Sequence, residues 1–589
     1  MDDVCTRCGD RPAPHAGLLH RRRLLLAAGA AGLATALPRG VARAQGATPQ
    51  ASPTAGIGKP VTSQTRKDFN AEMITALGLV EGTPGGTYLD SNTSDIQTVM
   101  PFLAEEAASI GIVGMIFDSL TGGDPRTGQP APNGLADWWE IAADGVTYTF
   151  HLNEQALWHD GQPVTAADVQ FSFDALADPA TGSVYTASFQ ETAASWKALD
   201  DHTFQIVAKE PKMDFLYNLT AYIVPKHVWE SVDRKDWKSD PGATGQDPSR
   251  VIGSGPFKFK EWKPGESISL VRNDAYYDKV PYLDEYVQKI WPDQTAVVNA
   301  LLNQEVDSTG LEPADVQGVD GQPGLKVEIF PTRSFTYLEY NLDPTVTTKW
   351  QDDRVRKALF YALDRESIVN NILLGYSEVA QGTQPVISYA YAPDKIETHY
   401  THDPEKAKQL LADAGWTDSD GDGVVDKDGE AMAFEYLYPS GSPTSDQMAA
   451  YIQDAWSKIG VKATPKALEF PALIEATTTN PTFDIAAYGF QWDATFIQDA
   501  MFGCDQYQVG FNDMKYCNPE LDKINAEAKR TFDEAKRADL LIQASNIVNE
   551  DLPVMVLHFS KGIDAHNERL QNYVVSTWGT PISYVWVQE

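Results

Sequence analysis

Three stretches of this 589-residue chain predict mixed α/β lobes, because each joins strand text to helical text. The first runs from Gly134 to Leu176. Val146, Tyr148, Phe150 and Leu152 share one face there and Thr147, Thr149 and His151 the other, the period of a half-buried strand. Asp144-Gly145 ahead of it suits a tight hairpin turn. Asp160-Gly161 then leads to Thr165-Ala-Ala-Asp168, a capping-box spelling, with Val169, Phe173 and Leu176 at helical spacing. In the second stretch an alternating strand, Phe335 to Leu342, precedes a helix from Arg354 to Leu363 with Val355, Leu359 and Leu363 in line. In the third, Asn518-Pro519 opens a helix, helical text continues from Arg530 to Asn549, and Pro553 stops it. Val554–Phe559 reads as a returning strand. Such alternation predicts α/β layers, and no internal repeat supports a solenoid.

From the beginning of the chain, residues 1–44 read as an export signal. Arg21-Arg22-Arg23 precede an apolar run from Leu24 to Leu37, and Ala42-Arg43-Ala44 supplies an A-x-A cleavage site. A spanning helix needs roughly 20 apolar residues, more than this run has. The order Arg21-Arg22-Arg23-Leu24-Leu25 resembles the twin-arginine export motif; an ordinary secretory signal with one extra arginine is the alternative. No cysteine follows the cleavage site to make a lipid anchor. Residues 45–75 begin in Ala, Thr, Pro, Ser and Gly and are expected to be a flexible spacer. Gly86 to Ser119 is expected to hold a first strand and helix. Further on, Asp403-Pro404 caps a helix that Gly415 ends, around Ala407, Leu410, Leu411 and Ala414.

A formal net charge of −35 argues against nucleic acid, whose phosphates would be repelled. The acidity serves solubility, or, if gathered in a cleft, attraction of ammonium-bearing ligands. Cys5 and Cys8 lie ahead of the cleavage site, and a two-ligand zinc site would be incomplete. Cys504 and Cys517 are left in the mature chain. In an oxidising compartment they are expected to form a disulfide, stabilising by about 3 kcal/mol less any strain. A pair of metal or redox thiols is the alternative.

The Gly134–Leu176 block also carries a resemblance. Leu135-Ala136, Trp139, Asp144-Gly145, Tyr148-Thr149-Phe150, Leu152, Trp158-His159-Asp160-Gly161, Pro163, Thr165-Ala166 and Asp168-Val169 match in order. They resemble the signature of the family 5 extracytoplasmic solute-binding proteins, the peptide-binding components of ABC importers. Trp158 stands for the family's usual Phe. A second match is Gly253-Ser254-Gly255-Pro256-Phe257 with Trp262, Arg272-Asn273 and Tyr276-Tyr277. A third runs through Val355-Arg356, Ala358, Ala362, Asp364-Arg365 and Ile368-Val369. The glycines of the second match suit a sharp turn into the strand Phe257–Phe259. They are no phosphate loop, since no Walker lysine follows.

The resemblance implies a two-lobed clamshell of the periplasmic-binding-protein type II kind, with an extra subdomain in the first lobe. Lobe 1 is expected over residues 76–325 and 555–589 with its subdomain at about 106–249, and lobe 2 over 326–554. A ligand, a peptide or other small molecule, is expected between the lobes, with ABC permease and ATPase subunits as implied partners, no cofactor, and a monomeric state. The protein is expected to be exported to the periplasm or the cell surface. A binding protein for oligosaccharides or another small polar solute is the alternative within this class. A secreted hydrolase is the alternative outside it.

For chemistry the text is sparse: there is no G-x-S-x-G elbow and no H-E-x-x-H helix. The adjacent His159 and Asp160 on a turn are expected to diverge, so no catalytic residue is assigned. Alternating Asp418, Asp420 and Asp422, with Gly423 and Asp426, suit a calcium loop, but its twelfth position is Gly429 instead of Glu. A solvated Asp-Gly turn is the preferred reading, so no metal is assigned. The strongest ligand text is Phe490-Gln491-Trp492-Asp493. In peptide-binding relatives an aspartate of the corresponding segment pairs with the α-ammonium group, and Asp493 matches it by spacing from Gly489. The family's D-x-x-D-P ending is absent, replaced by Ala494-Thr495-Phe496. Tyr185, by resemblance, and Asn341, at its strand end, are weaker ligand candidates.

Overall fold

The computed structural model describes residues 59–588 apart from 220, 480, 508 and 509. The expected export signal, with Cys5 and Cys8, lies outside the described residues. None of the described helices is long and apolar enough to cross a membrane.

Three main sheets organise the fold. The hairpin predicted around Asp144-Gly145 forms from Ala136–Ile141 and Thr147–Leu152. These pair within a five-stranded antiparallel sheet whose outer strands are Val61–Thr62 and Ala193–Ala198. A second sheet places Thr87–Asn92 parallel to Glu285–Ile290, followed by Ser267–Arg272 and Phe257–Lys263. Both sheets feed one apolar core, in which Tyr148, Phe150, Phe173, Phe204, Phe257 and Leu270 are fully enclosed.

The third sheet is mixed. Its order is Ser308–Gly310, Val554–Asn567, Leu325–Tyr340, Ile485–Gln491, Ala433–Pro439 and Lys462–Leu468, with Ser377–Val379 beside the second of these. It is covered on both faces. Leu338, Met555, Leu557 and Ile485 point into one core, and Tyr337, Val554, Val556 and Ala486 into another. That explains the unbroken apolar run Val554–Leu557, since a strand buried on both sides has no polar alternation to show.

Leu325–Tyr340 and Val554–Asn567 form a long antiparallel ribbon. One end pairs Leu325–Pro331 with Lys561–Asn567 and the other pairs Phe335–Glu339 with Val554–Phe559. Between them the register shifts at residues 332–334, where Thr332 Oγ1 donates to the Ser560 carbonyl at 2.7 Å. Such a bulge bends a strand and re-aims its side chains.

Caps fall where the text predicts them. Thr165 and Asp168 close a reciprocal capping box, Asp403 and Asn518 cap helices with proline in their first turns, and Gly415 adopts a left-handed φ of 88° just past its helix. Four expectations need correction. Residues 66–75 are not spacer: Arg66–Leu77 is a helix, anchored by buried Arg66, whose Nε donates to Asp137 at 2.6 Å. The helical text expected to run on from Asn518-Pro519 through Arg530 to Asn549 is two helices, Pro519–Arg530 and Glu534–Asp551, because Asp533 starts a new cap. The strand expected at Phe335–Leu342 begins earlier, at Leu325, because the paired return strand extends it. Gly253 and Gly255 are needed for close approach rather than for a turn. Neither has positive φ, but a Cβ on Gly253 would lie 1.9 Å from the Ile116 carbonyl oxygen.

Candidate ligand site

The aromatic strand Ile485–Gln491 pairs with the crossing strand through Ser334–Gln491 and Phe335–Phe490. Tyr488 is buried, and Phe490 and Gln491 at the strand's end are half-buried. Phe490 packs on Phe335, Trp492 and Phe511. Trp492 is 2 % exposed, stacks on Phe335 with centroids 5.3 Å apart, and donates its indole N–H to the Thr383 carbonyl at 2.8 Å. It is therefore a wall of the core and presents no open face.

Asp493 follows at the strand's end and is half-buried. Its Oδ1 accepts the Thr495 N–H at 2.8 Å and the Thr495 hydroxyl at 2.5 Å, an Asx turn that fixes the carboxylate. Burial pushes its carboxyl above the usual range, with Asp499 adding to the shift and Arg333 opposing it. Next to it, Lys529 makes an ion pair with Asp499. Burial works against the Lys529 charge, yet Asp499, Asp214 and Asp493 together raise its pKa.

Asp214 comes from the first half of the chain. It sits on the turn Met213–Asn218, which packs on the helix Pro519–Arg530, with Met213 inside the same core as Trp492. Burial raises Asp214 to about 6, Asp499 and Asp493 add to the rise, and Lys529 and Lys212 oppose it. Its Oδ1 is buried with no hydrogen-bond partner among the described residues. Tyr217 of the same turn feels the charges of Arg537 and Asp493. Arg537 donates from Nε to the Tyr389 hydroxyl at 2.9 Å, and Tyr389 donates to the Thr495 carbonyl at 2.6 Å. Asp493 thus sits at a polar junction, where a turn of the first half of the chain closes over the second. Sequence reasoning missed Asp214, Arg333, Asp499 and Lys529 because they lie far from Asp493 along the chain or carry no motif.

The remaining candidates are elsewhere. Asn341 is buried, donates to the Phe483 carbonyl at 3.0 Å and accepts the Asp343 N–H at 3.0 Å, so its amide holds backbone. Tyr185 precedes the helix Thr186–Thr192, packs on the first core and points its hydroxyl at the Ala104 carbonyl. Asp418, Asp420 and Asp426 bring carboxylate oxygens within 4.8 Å of one another, and Asp422 is not among them. Asp418 accepts the N–H groups of Gly421 and Gly423, and Asp426 accepts from Ser419, the pattern of a solvated turn. Cys504 and Cys517 are joined as a disulfide. His159 and Asp160 diverge: Asp160 meets His227 at 2.8 Å and His159 turns to Gly253 and Gly255.

Two bodies joined by a long ribbon, with buried charged groups where they meet, are the architecture of a two-lobed solute-binding protein. The chain belongs to the bacterial extracellular solute-binding proteins, family 5, whose profile matches residues 130–508. It is 30% identical over 494 residues to the oligopeptide-binding protein AppA of Bacillus subtilis, covering 83% of this chain and 89% of that protein. It is 28% identical over 466 residues to the dipeptide-binding protein of Escherichia coli, covering 76% and 84%. The solved structure of AppA from Bacillus subtilis in complex with a nonapeptide superposes with a TM-score of 0.70. That match has 28% identity and covers 86% of this chain and 100% of the other. CtaP of Listeria monocytogenes, an ABC transporter substrate-binding protein, superposes with a TM-score of 0.73 at 25% identity, over 86% and 100%.

Proposed function

We propose that the protein captures peptides between its lobes and delivers them unaltered to the permease of an ABC importer. Lobe 1 comprises residues 76–325 and 555–589, with its subdomain at about 106–249; lobe 2 comprises 326–554. The observation that carries the reading is Asp493. It is a fixed carboxylate with raised proton affinity, at the junction where the Asp214 turn meets the second half of the chain. A ligand ammonium there supplies the countercharge that burial withholds, and a charge-assisted hydrogen bond is strong where water is excluded. The names of the relatives, oligopeptide- and dipeptide-binding proteins, support a peptide over a sugar. The buried indole of Trp492 removes the main stacking surface a sugar would use.

Export through the Arg21-Arg22-Arg23 signal, a monomeric state, and the absence of turnover complete the proposal. Calorimetric titration of Asp493→Ala with a peptide and its N-acetylated twin tests the site. Wild type is expected to prefer the free amine by at least tenfold, and the variant to lose that preference. Equal loss for both peptides overturns the ammonium role.

A further inference from the structure

Among the described residues, the junction contains one cation, Arg333, with two donor groups left unpaired. Arg333 lies in the three-residue bulge of the crossing strand and is 3 % exposed. Its Nη1 donates to the Trp492 carbonyl at 2.8 Å, one residue before Asp493, and its guanidinium lies 4.4 Å from the ring centre of Trp578. Its Nε and Nη2 are buried with no hydrogen-bond partner among the described residues. Burial lowers its pKa to about 10, with Asp493 opposing the fall, so it stays charged at neutral pH.

The neighbouring cations are engaged. Lys529 is held by Asp499, and Arg537 by the Tyr389 hydroxyl and the Thr531 carbonyl. Trp578 is fixed from both sides: its ring meets Phe496 edge-on, and a Cβ on Gly128 would collide with it. A buried guanidinium with two unpaired donors is costly, and removing water from a charge is repaid only by a partner. Nε and one Nη of arginine form the fork that matches a carboxylate in a bidentate pair.

Resting on the peptide-binding reading, we infer that Arg333 binds a ligand carboxylate placed beside the ammonium held by Asp493. The ligand class is then a peptide whose first residue is Asp or Glu. A dipeptide is the other source of the same chemistry, since its own C-terminal carboxylate lies close to its ammonium.

The test titrates the full mature chain and Arg333→Met with four probes: Glu-Ala-Ala-amide, Gln-Ala-Ala-amide, Ala-Ala and Ala-Ala-amide. Wild type is expected to bind the Glu tripeptide at least tenfold tighter than its Gln twin, and Arg333→Met to abolish that ratio. A wild-type ratio below tenfold with no tenfold preference for Ala-Ala over its amide overturns the inference, as does a variant that keeps the wild-type ratios. A tenfold preference for Ala-Ala over its amide, lost in the variant, keeps the carboxylate site and moves its source to a dipeptide. Wild type binding none of the four overturns the peptide reading itself, and this inference with it. Should Arg333→Met not fold, Arg333→Lys keeps the charge without the fork, and is expected to reduce the Glu-to-Gln ratio at least threefold; an unchanged ratio overturns the inference.

Discussion

His159 Nδ1 accepts the main-chain N–H of Gly253 at 3.2 Å, and this single contact joins two signatures 94 residues apart. The same ring's Nε2 donates to the Gly255 carbonyl at 3.0 Å, and the His159 amide donates to the Gly253 carbonyl at 2.8 Å. Gly255 in turn donates to the Ile116 carbonyl at 2.9 Å. The turn after the hairpin, the glycine loop and a helix end are thus stitched by backbone groups through one imidazole.

That stitch predicts a pH dependence. Burial lowers His159 to about 4 from an ordinary value near 6.5, against the pull of the Gly255 carbonyl. The unfolded chain therefore takes up the proton first, and the neutral ring's stabilisation is lost as pH falls from 6.5 to 4. Asp118 and Asp214, both raised to about 6 by burial, act with the opposite sign in that window, so the wild-type curve alone is ambiguous. The gap between wild type and His159→Gln isolates the ring: it is expected to narrow by about 3 kcal/mol between pH 7 and pH 4 in urea unfolding. A gap independent of pH would refute this.

Gly253→Ala places a Cβ against an oxygen that cannot retreat without breaking its bond to Gly255. A loss of about 3 kcal/mol is expected. Gly111, exposed in the helix Ala107–Ile116 with nothing within 4 Å of a Cβ, is the control. Gly111→Ala is expected to gain about 0.5 to 1 kcal/mol, read as a higher melting temperature.

Reducing Cys504–Cys517, or replacing both by serine, is expected to cost about 3 kcal/mol in chemical unfolding. An unchanged midpoint would mean that the loop is held without the bond.

In the Asp418 loop the carboxylates serve backbone amides. Asp418→Ala is expected to lower stability by about 1 kcal/mol, and calcium is expected to leave the melting temperature of wild type unchanged. A calcium-dependent rise abolished by the substitution would make this loop a metal site.

Asn341→Ala leaves the buried Phe483 carbonyl without its donor and is expected to cost about 1 to 3 kcal/mol. Peptide affinity is expected to stay within twofold of wild type; a larger loss would return Asn341 to the ligand site.

Much of the fold is legible in the text because its signals are local. Thr165 and Asp168 find each other within one turn, Asn518-Pro519 needs only its own next residues, and the alternation around Phe150 states which face is buried. Expectations failed where a distant contact decided. Arg66 looks like spacer text until Asp137 and the Gly134 carbonyl are folded onto it. Trp492 reads as an available aromatic until Phe335 and Thr383 enclose it.

The sequence by itself determined the α/β class, the family and the position of Asp493, because periodicity, caps and signature spacing are written in neighbouring residues. Only the tertiary structure decided that Asp214, Asp493, Asp499, Lys529 and Arg333 share one junction. Chain separations of more than 100 residues vanish there, and burial changes proton affinities that composition leaves at their ordinary values.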